Sequence, residues 1–321
     1  MTDRRGEEVV LLTGATGFIG AHCLARLLTE DCTIHAVNRR GKGPAADRVT
    51  WHATDLRDPA AAVAIVRKIK PGRLLHGAWN AVPGQFWNAP DNKDWLEAGK
   101  AMICAFGESG GRHFVGVGTC AEYDWQQTEF KEDETPLKPS TLYGEAKAAL
   151  SEAAFADAGV HGYTAAWGRI FQPYGVGEEV PRFIPAVIEA LVAQRPVELT
   201  DGRQERDFIF APDVADLLVR LLMGGCHGAY NVGTGRATSL RAVAEYLGSK
   251  LGGADLLRFG ARQAPVSEPM RLIADMTKVR HQLQWAAPTT LEAGLDELVN
   301  RALGVAGGHA GPPNGATRGI C

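Results

Sequence analysis

Residues Val9 to Gly20 read VVLLTGATGFIG, an aliphatic run followed by glycines at positions 14, 17 and 20, and this stretch constrains the fold more than any other. The apolar run suits a strand buried on both faces, and from Phe18 onward the spacing of Ala21, Leu24, Leu27 and Leu28 becomes helical. The glycines therefore fall at a strand-to-helix turn. There Gly14 permits the tight turn, Gly17 lets a pyrophosphate approach the backbone, and Gly20 allows close packing of helix on strand. Thr16, Phe18 and Ile19 lie in the same turn and join Gly14 and Gly17 as candidate dinucleotide contacts. The alternative is a glycine-rich turn in some other α/β domain.

Strand-like runs recur between helical stretches: Thr33–Asn38, Val49–Ala53, Leu74–Ala78, His113–Gly118 and Tyr163–Phe171, with helix candidates at Asp58–Ile69, near 93–107 and near 143–158. This alternation predicts a doubly wound parallel sheet covered on both faces, an α/β Rossmann architecture. After Phe171 the pattern breaks into a Pro/Gly-punctuated section with one helix candidate, Phe183 to Leu191. Asp207–Met223 and Tyr230–Gly233 then read as strand, helix and strand returning to the first sheet. The expected division is a dinucleotide-binding domain at 1–175 and 207–235 and a smaller, discontinuous α+β substrate lobe at 176–206 and 236–303. Residues 304–321, rich in Gly, Pro and Ala, are expected to be disordered.

A chain of 321 residues, 45% hydrophobic and 22% charged, can build a substantial core. A net charge of -3 without clustered Lys and Arg argues against a nucleic-acid surface. No apolar segment has the length to cross a bilayer and the start, MTDRRGEE, is charged, so the chain reads as cytoplasmic without membrane contact. The cysteines at 23, 32, 104, 120, 226 and 321 form no C-x-x-C pair and the histidines no H-E-x-x-H spacing; reduced thiols and no metal are expected.

Tyr143 and Lys147, in TLYGEAK, are four residues apart and share one helix face. A phenol titrates near ~10 when unperturbed, so a neighbouring ammonium that favours the phenolate suits it to exchange a proton with an alcohol or ketone at neutral pH. Thr119, ending the strand HFVGVG, places a hydroxyl at the carboxyl end of a parallel strand, where open α/β sheets bind ligands. A solvated helix face is the alternative for the pair.

Together these segments resemble the extended short-chain dehydrogenase/reductase family, in its nucleotide-sugar epimerase, dehydratase and reductase branch. The resemblance runs from about Val9 to Leu303 and rests on TGATGFIG, Asp55-Leu56 in ATDLRD, HGAW at 76–79, GVGTCAEYDW, YGEAK, RIFQPYG at 169–175, RDFIFAPDVA at 206–215, YNVGTG at 230–235 and ADMTKVRHQLQW. It implies that Asp55 and Leu56 contact the adenine, that Gly77, Ala78 and Trp79 line the nicotinamide side, and that Thr119, Tyr143 and Lys147 are catalytic. Lys147 would also hold the nicotinamide ribose. Cys120, Gln172, Arg206 and Arg271 fall where a nucleotide sugar would bind. A guanidinium fork at Arg206 matches a diphosphate, with a salt bridge to Asp207 or Asp213 as the alternative. A homodimer through a four-helix contact is also implied.

The end of the second strand reads Val37-Asn38-Arg39-Arg40 and presents no carboxylate to a ribose 2′-hydroxyl, while two guanidiniums are available for a 2′-phosphate. NADP is favoured; if Arg39 and Arg40 are solvated, NAD binds through Asn38. Dehydratases of the branch carry an acidic pair after the Thr, where this chain has Cys120 and Ala121, and Glu122 is read as shaping the loop. The 3,5-epimerase/reductases carry a Cys and a His where this chain has Ala121 and Arg182, and Cys120 is read as a buried small thiol. Simple hydride transfer remains. GTCAEYDW with Trp79 looks like reductases of nucleotide-linked 4-keto-6-deoxyhexoses such as the CDP-abequose synthase group. Trp79, Trp87 and Trp95 can wall a sugar pocket, core packing being the alternative for at least one, and 85–94 reads as a mobile loop. Two rival functions are a 4-epimerase with retained NAD and a non-catalytic NADP-binding regulator.

Overall fold

The computed structural model describes residues 8–264 and 268–305, so most of the expected disordered tail and part of PVSEPMR lie outside the described residues. The chain opens as β1 (Val9–Thr13), α1 (Phe18–Leu27), β2 (Thr33–Asn38), β3 (Val49–Ala53), α2 (Pro59–Ile69), β4 (Arg73–His76), α3 (Asn92–Glu108), β5 (His113–Thr119), α4 (Leu142–His161) and β6 (Thr164–Ile170). It continues through β7 (Gln172–Tyr174), α5 (Phe183–Val192), β8 (Val197–Glu198), β9 (Glu205–Arg206), β10 (Phe208–Phe210), α6 (Ala211–Met223) and β11 (Gly228–Val232). It closes with β12 (Thr238–Ser239), α7 (Leu240–Leu251), β13 (Leu257–Arg258), β14 (Arg271–Leu272), α8 (Thr277–Leu283) and α9 (Leu291–Ala302).

Seven parallel strands form one sheet in the order β11-β6-β5-β4-β1-β2-β3, the doubly wound arrangement expected from the alternation. Because side chains alternate across a strand, Val10 and Leu12 of β1 pack beneath α1 and α6, while Leu11 packs with α2, α3 and α4 on the other face. Strand order reverses between β1 and β4. That reversal leaves a crevice at the carboxyl ends of the two strands.

A third core joins Ile184, Val187 and Leu191 of α5 to Val243 and Leu247 of α7 and to Leu295 and Val299 of α9. Here the structure departs from the expected return of Asp207–Met223 to the main sheet. β10 pairs with β7 in a separate two-stranded ribbon. The cause is aromatic: Phe208 and Phe210 lie 6.3 and 5.4 Å from the Tyr174 ring and bury into this third core. Only α6 and β11 rejoin the first sheet. Among the described residues no helix is long and apolar enough to cross a membrane.

Candidate active site

The glycine turn occupies the strand-order reversal. Gly14 has φ +70°, and a Cβ there would lie 2.7 Å from the backbone of Gly77 and 2.8 Å from the nitrogen of Ala78, so β1 and β4 close on one another only with glycine at this point. A Cβ on Gly20 would sit 1.9 Å from the Gly14 carbonyl oxygen. Thr16 and Gly17 are exposed and Phe18 and Ile19 half-buried, and no side chain caps α1. An uncapped helix start with no acid in its first turn and only glycine in front is the donor set that a pyrophosphate needs. The residues fit a dinucleotide.

Beneath the turn is a polar shelf that the motifs did not disclose. The Thr13 hydroxyl accepts from the backbone N–H groups of Gly77 and Ala78 (3.1 and 3.2 Å) and lies 2.9 Å from His76 Nδ1. The Gly77 N–H is shared with the Thr13 carbonyl at 3.3 Å and the Ala78 N–H turns to the hydroxyl, where β4 ends two residues earlier than its apolar run. His76 is buried, its Nε2 has no hydrogen-bond partner among the described residues, and burial with the nearby Lys147 charge pulls its pKa down to about 3.

Thr119 ends β5 and caps a 3₁₀ turn at Cys120–Glu122, accepting from Ala121 N while Glu122 accepts from Thr119 N. This is a T-x-x-E capping box, a signal readable from the sequence alone. Glu122, fully buried, also accepts from Trp167 Nε1 and Arg169 Nε, each at 2.9 Å. Arg169 donates to the Tyr123 hydroxyl, which in turn donates to Asn231. The carboxylate nearest Thr119 is thus consumed by structure.

α4 is capped by Thr141, whose hydroxyl accepts from Gly144 N, which sets Tyr143 on the first turn. The Thr119 hydroxyl lies close enough to the Tyr143 phenol to favour its ionised form. The two side chains of the expected pair do share a helix face, but the ammonium is not directed at the phenol. Lys147 Nζ donates to the Val117 carbonyl at 2.8 Å and lies 4.0 Å from the Trp79 ring centroid and 6.0 Å from that of Tyr143. Burial raises the Tyr143 pKa, the Glu122 charge adds to this, and the Thr119 hydroxyl and Arg182 oppose it. The expectation that Lys147 lowers it is not met here, because desolvation outweighs a lysine committed elsewhere. Burial pulls Lys147 itself down to about 7.

Aromatic rings surround the phenol. Phe86, Trp87 and Trp79 meet the Tyr143 ring edge-to-face at 4.8, 5.9 and 6.4 Å. Trp79 donates to Asn92 and stacks on Trp95, which packs against the core formed with α2, α3 and α4. The segment expected to be a mobile loop is pinned: Phe86 is buried, and Asn92 donates to the carbonyls of Phe86 and Ala89.

Cys120 is buried and its thiol pushed up to about 12, mainly by desolvation, with the Arg206 charge working against the rise. Gln172 is half-buried at the start of β7. Arg206, 6% exposed, pairs with Glu268 at 2.7 Å rather than with Asp207 or Asp213. Asp207 instead accepts from Thr234, Gly235 and Ala274, and Asp213 from Thr289. Arg271 is exposed and paired with Glu205, so it does not join Arg206 on that ion pair.

At the end of β2 the Asn38 side chain is used within its own turn, donating to Lys42 O and accepting from Arg40 N. Arg39 and Arg40 remain exposed. Asp55 is clamped by Arg57 through two side-chain bonds, which hold its carboxyl down at about 2, and Leu56 is buried.

A family model described as the NAD dependent epimerase/dehydratase family matches residues 10–233. UDP-glucose 4-epimerase 2 of Arabidopsis thaliana is 25% identical, over 96% of this chain and 99% of that protein. dTDP-4-dehydro-6-deoxy-D-allose reductase of Streptomyces bikiniensis is 26% identical (92% and 96% covered), and CDP-abequose synthase of Salmonella typhimurium 24% identical (92% and 98%). The solved structure of MoeE5 in complex with UDP-glucose and NAD superposes with a TM-score of 0.78 at 27% identity, covering 92% of this chain and 99% of that one.

Proposed function

The chain belongs to the NAD dependent epimerase/dehydratase family, and on that premise we propose that it reduces the C4 keto group of a nucleotide-linked 4-keto-6-deoxyhexose, with NADPH as reductant. The observation that carries this reading is the convergence of two hydroxyls, Tyr143 and Thr119, with the nearest carboxylate, Glu122, committed to Thr119 N, Trp167 and Arg169. Such a site gives a proton to a developing alkoxide. Cys120 and Ala121 stand where an acid and base to expel water from the ring would follow Thr119.

A bound nicotinamide dinucleotide supplies the hydride for C4. The N–H groups at the start of α1 receive its pyrophosphate, and Arg39 and Arg40 its 2′-phosphate. Thr119 orients the carbonyl oxygen and Tyr143 donates its proton to that oxygen, so that C=O becomes CH–OH and the tyrosine is reprotonated from solvent. Lys147, on the same helix face and held by the Val117 carbonyl, meets the nicotinamide ribose. Arg206 binds the sugar's diphosphate. The reductase among the relatives carries a 4-dehydro-6-deoxy sugar in its name.

The test is NADPH consumption, followed at its absorbance band, with a panel of nucleotide-4-keto-6-deoxyhexoses made in situ by 4,6-dehydratases, NADH in parallel, and Tyr143→Phe as control. Rapid oxidation lost in Tyr143→Phe is expected. Interconversion of unmodified UDP- or GDP-hexoses without net NADPH use would overturn the reading in favour of a 4-epimerase, and cofactor binding without any turnover would do so in favour of a regulatory protein.

A further inference from the structure

Trp87 is 37% exposed, an unusual position for an indole that touches the phenol at the centre of the site. Its place is fixed by a short 3₁₀ turn, Phe86–Asn88, that docks on the first turn of α4: Phe86 packs edge-on against Tyr143, and Asn88 Oδ1 accepts from Leu142 N. Trp125 meets Trp87 at 6.0 Å with the two rings at 80°. Trp125 spends its one polar group on the Cys120 carbonyl. Two indoles thus form a right-angled corner, one wall touching Tyr143 and the other bonded to the residue after Thr119.

Two polar groups next to the reacting hydroxyls are not free to serve a ligand there. Glu122 is consumed by Thr119, Trp167 and Arg169, and the Cys120 thiol stays neutral at any physiological pH. A hydroxyl laid against the two indoles gains no hydrogen bond from them, Trp125 having given its N–H to Cys120, whereas a methyl group gains apolar contact. In a hexose with a ketone at C4, the two ring neighbours of the reacting carbon differ in this respect: C3 carries a hydroxyl and C5 carries C6. When the C4 oxygen lies on Tyr143 and Thr119, the C5–C6 end is the neighbour that suits the indoles if C6 is a methyl.

We infer that the Trp87–Trp125 corner receives the C5–C6 end of the sugar, and that Trp87 is a specificity-determining residue that selects 6-deoxy rings over 6-hydroxylated ones. The inference rests on the proposed 4-keto reduction. Trp79 has no part in it, since its N–H is given to Asn92 and its face to Lys147.

The test compares kcat/KM for a nucleotide-4-keto-6-deoxyhexose with that for the 4-keto hexose bearing a 6-hydroxyl, in wild type, Trp87→Ala and Trp87→Phe. An apolar pocket distinguishes a methyl from its hydroxylated analogue by about 10–100-fold. Wild type should show a preference of that order, Trp87→Ala should lose most of it, chiefly through KM for the 6-deoxy substrate, and Trp87→Phe should keep most of it. Calorimetric binding of dTDP-, CDP-, UDP- and GDP-6-deoxyglucose against the matching nucleotide glucoses reads the same preference without turnover. Inactivity toward every ketone would count against the reductase reading alone, because the binding ratio still tests the corner. Equal affinities for 6-deoxy and 6-hydroxy ligands in wild type, or a preference that survives in a folded Trp87→Ala protein, would overturn the inference.

Discussion

Replacing Glu122 with Gln tests whether the site is built from the buried network beneath it. Glu122 is fully buried and accepts from Thr119 N at 2.8 Å and from Trp167 Nε1 and Arg169 Nε at 2.9 Å, and the Arg169 side chain is only 4% exposed. Gln preserves the shape but removes the charge, and its NH₂ must face either Arg169 or the Thr119 and Trp167 donors, so two donors meet whichever way it turns. Breaking a buried ion pair by removing one partner costs about 3–5 kcal/mol. Because Gln keeps one acceptor and Arg169 keeps its bonds to the Tyr123 hydroxyl and the Glu132 carbonyl, a value of about 2–4 kcal/mol is expected. With an unfolding entropy of ~2.1 cal/mol/K per residue, that lowers Tm by about 3–6 °C. The loosened Thr119 should also lower kcat roughly 10-fold while KM for NADPH stays put. Differential scanning calorimetry and steady-state kinetics read both, and adding Arg169→Met to remove the stranded cation should cost clearly less than the sum of the single changes. A Tm unchanged within about 1 °C, or strictly additive costs, would refute the reasoning.

Three further outcomes are expected. Substituting Arg39 and Arg40 with Ser should weaken NADPH binding about 10–100-fold and leave NADH untouched, since charge-assisted bonds contribute about 1.5–3 kcal/mol; equal loss for both cofactors, by fluorescence titration, rejects the 2′-phosphate role. Arg206→Met should raise KM for the nucleotide sugar about 10–100-fold without moving KM for NADPH; a lower Tm with unchanged KM would leave Arg206 only its ion pair with Glu268. His76, depressed from 6.5 to about 3, contributes stability that is complete above pH 6.5 and is lost as pH falls toward 3, because the unfolded chain takes up a proton that the folded one refuses. By pH 5 the loss is about 2 kcal/mol. The urea midpoint of wild type should therefore fall more steeply from pH 6.5 to 5 than that of His76→Gln. Glu178, Asp207 and Asp213, whose raised pKa values act in the opposite sense, are common to both proteins and cancel in the comparison. Parallel slopes would refute the assignment.

What the sequence disclosed was local. The glycine turn is legible because its spacing answers a constraint within a few residues, the close approach of Gly14 to Gly77 being the one part that reaches farther. Tyr143 and Lys147 are legible because an i,i+4 spacing fixes a helix face, but the spacing says nothing of the Val117 carbonyl that captures the lysine 30 residues back in the chain. Thr13 and His76 meet across 63 residues, Glu122 and Arg169 across 47, Tyr123 and Asn231 across 108. Arg206 finds Glu268 rather than either nearby aspartate because β9, β12 and β14 bring distant segments together, which no spacing rule anticipates. The run DFIF looked like a sheet strand for the same reason: its aromatics are apolar enough for either core, and Tyr174 decides between them.

The electrostatics of the site also bear on the direction of the chemistry. A 4-epimerase and a 4-reductase need the same tyrosine, but they need it in opposite forms at the first step: the epimerase must accept a proton from the C4 hydroxyl, and the reductase must give one to the C4 oxygen. In this chain burial, first, and then the Glu122 charge favour the protonated phenol. It is enclosed by Phe86, Trp87 and Trp79, it feels the buried Glu122 charge, and Lys147 is turned to a backbone carbonyl and an indole. The favourable contributions to the phenolate, the Thr119 hydroxyl and the Arg182 charge, are smaller than the cost of burial. A proton held this firmly leaves when an alkoxide of higher basicity forms next to it, and hydride arriving at a ketone creates such an alkoxide. In the proposed reduction Trp87 is the ring common to both tasks, facing the sugar in its corner with Trp125 and helping Phe86 and Trp79 to enclose the phenol that serves as acid.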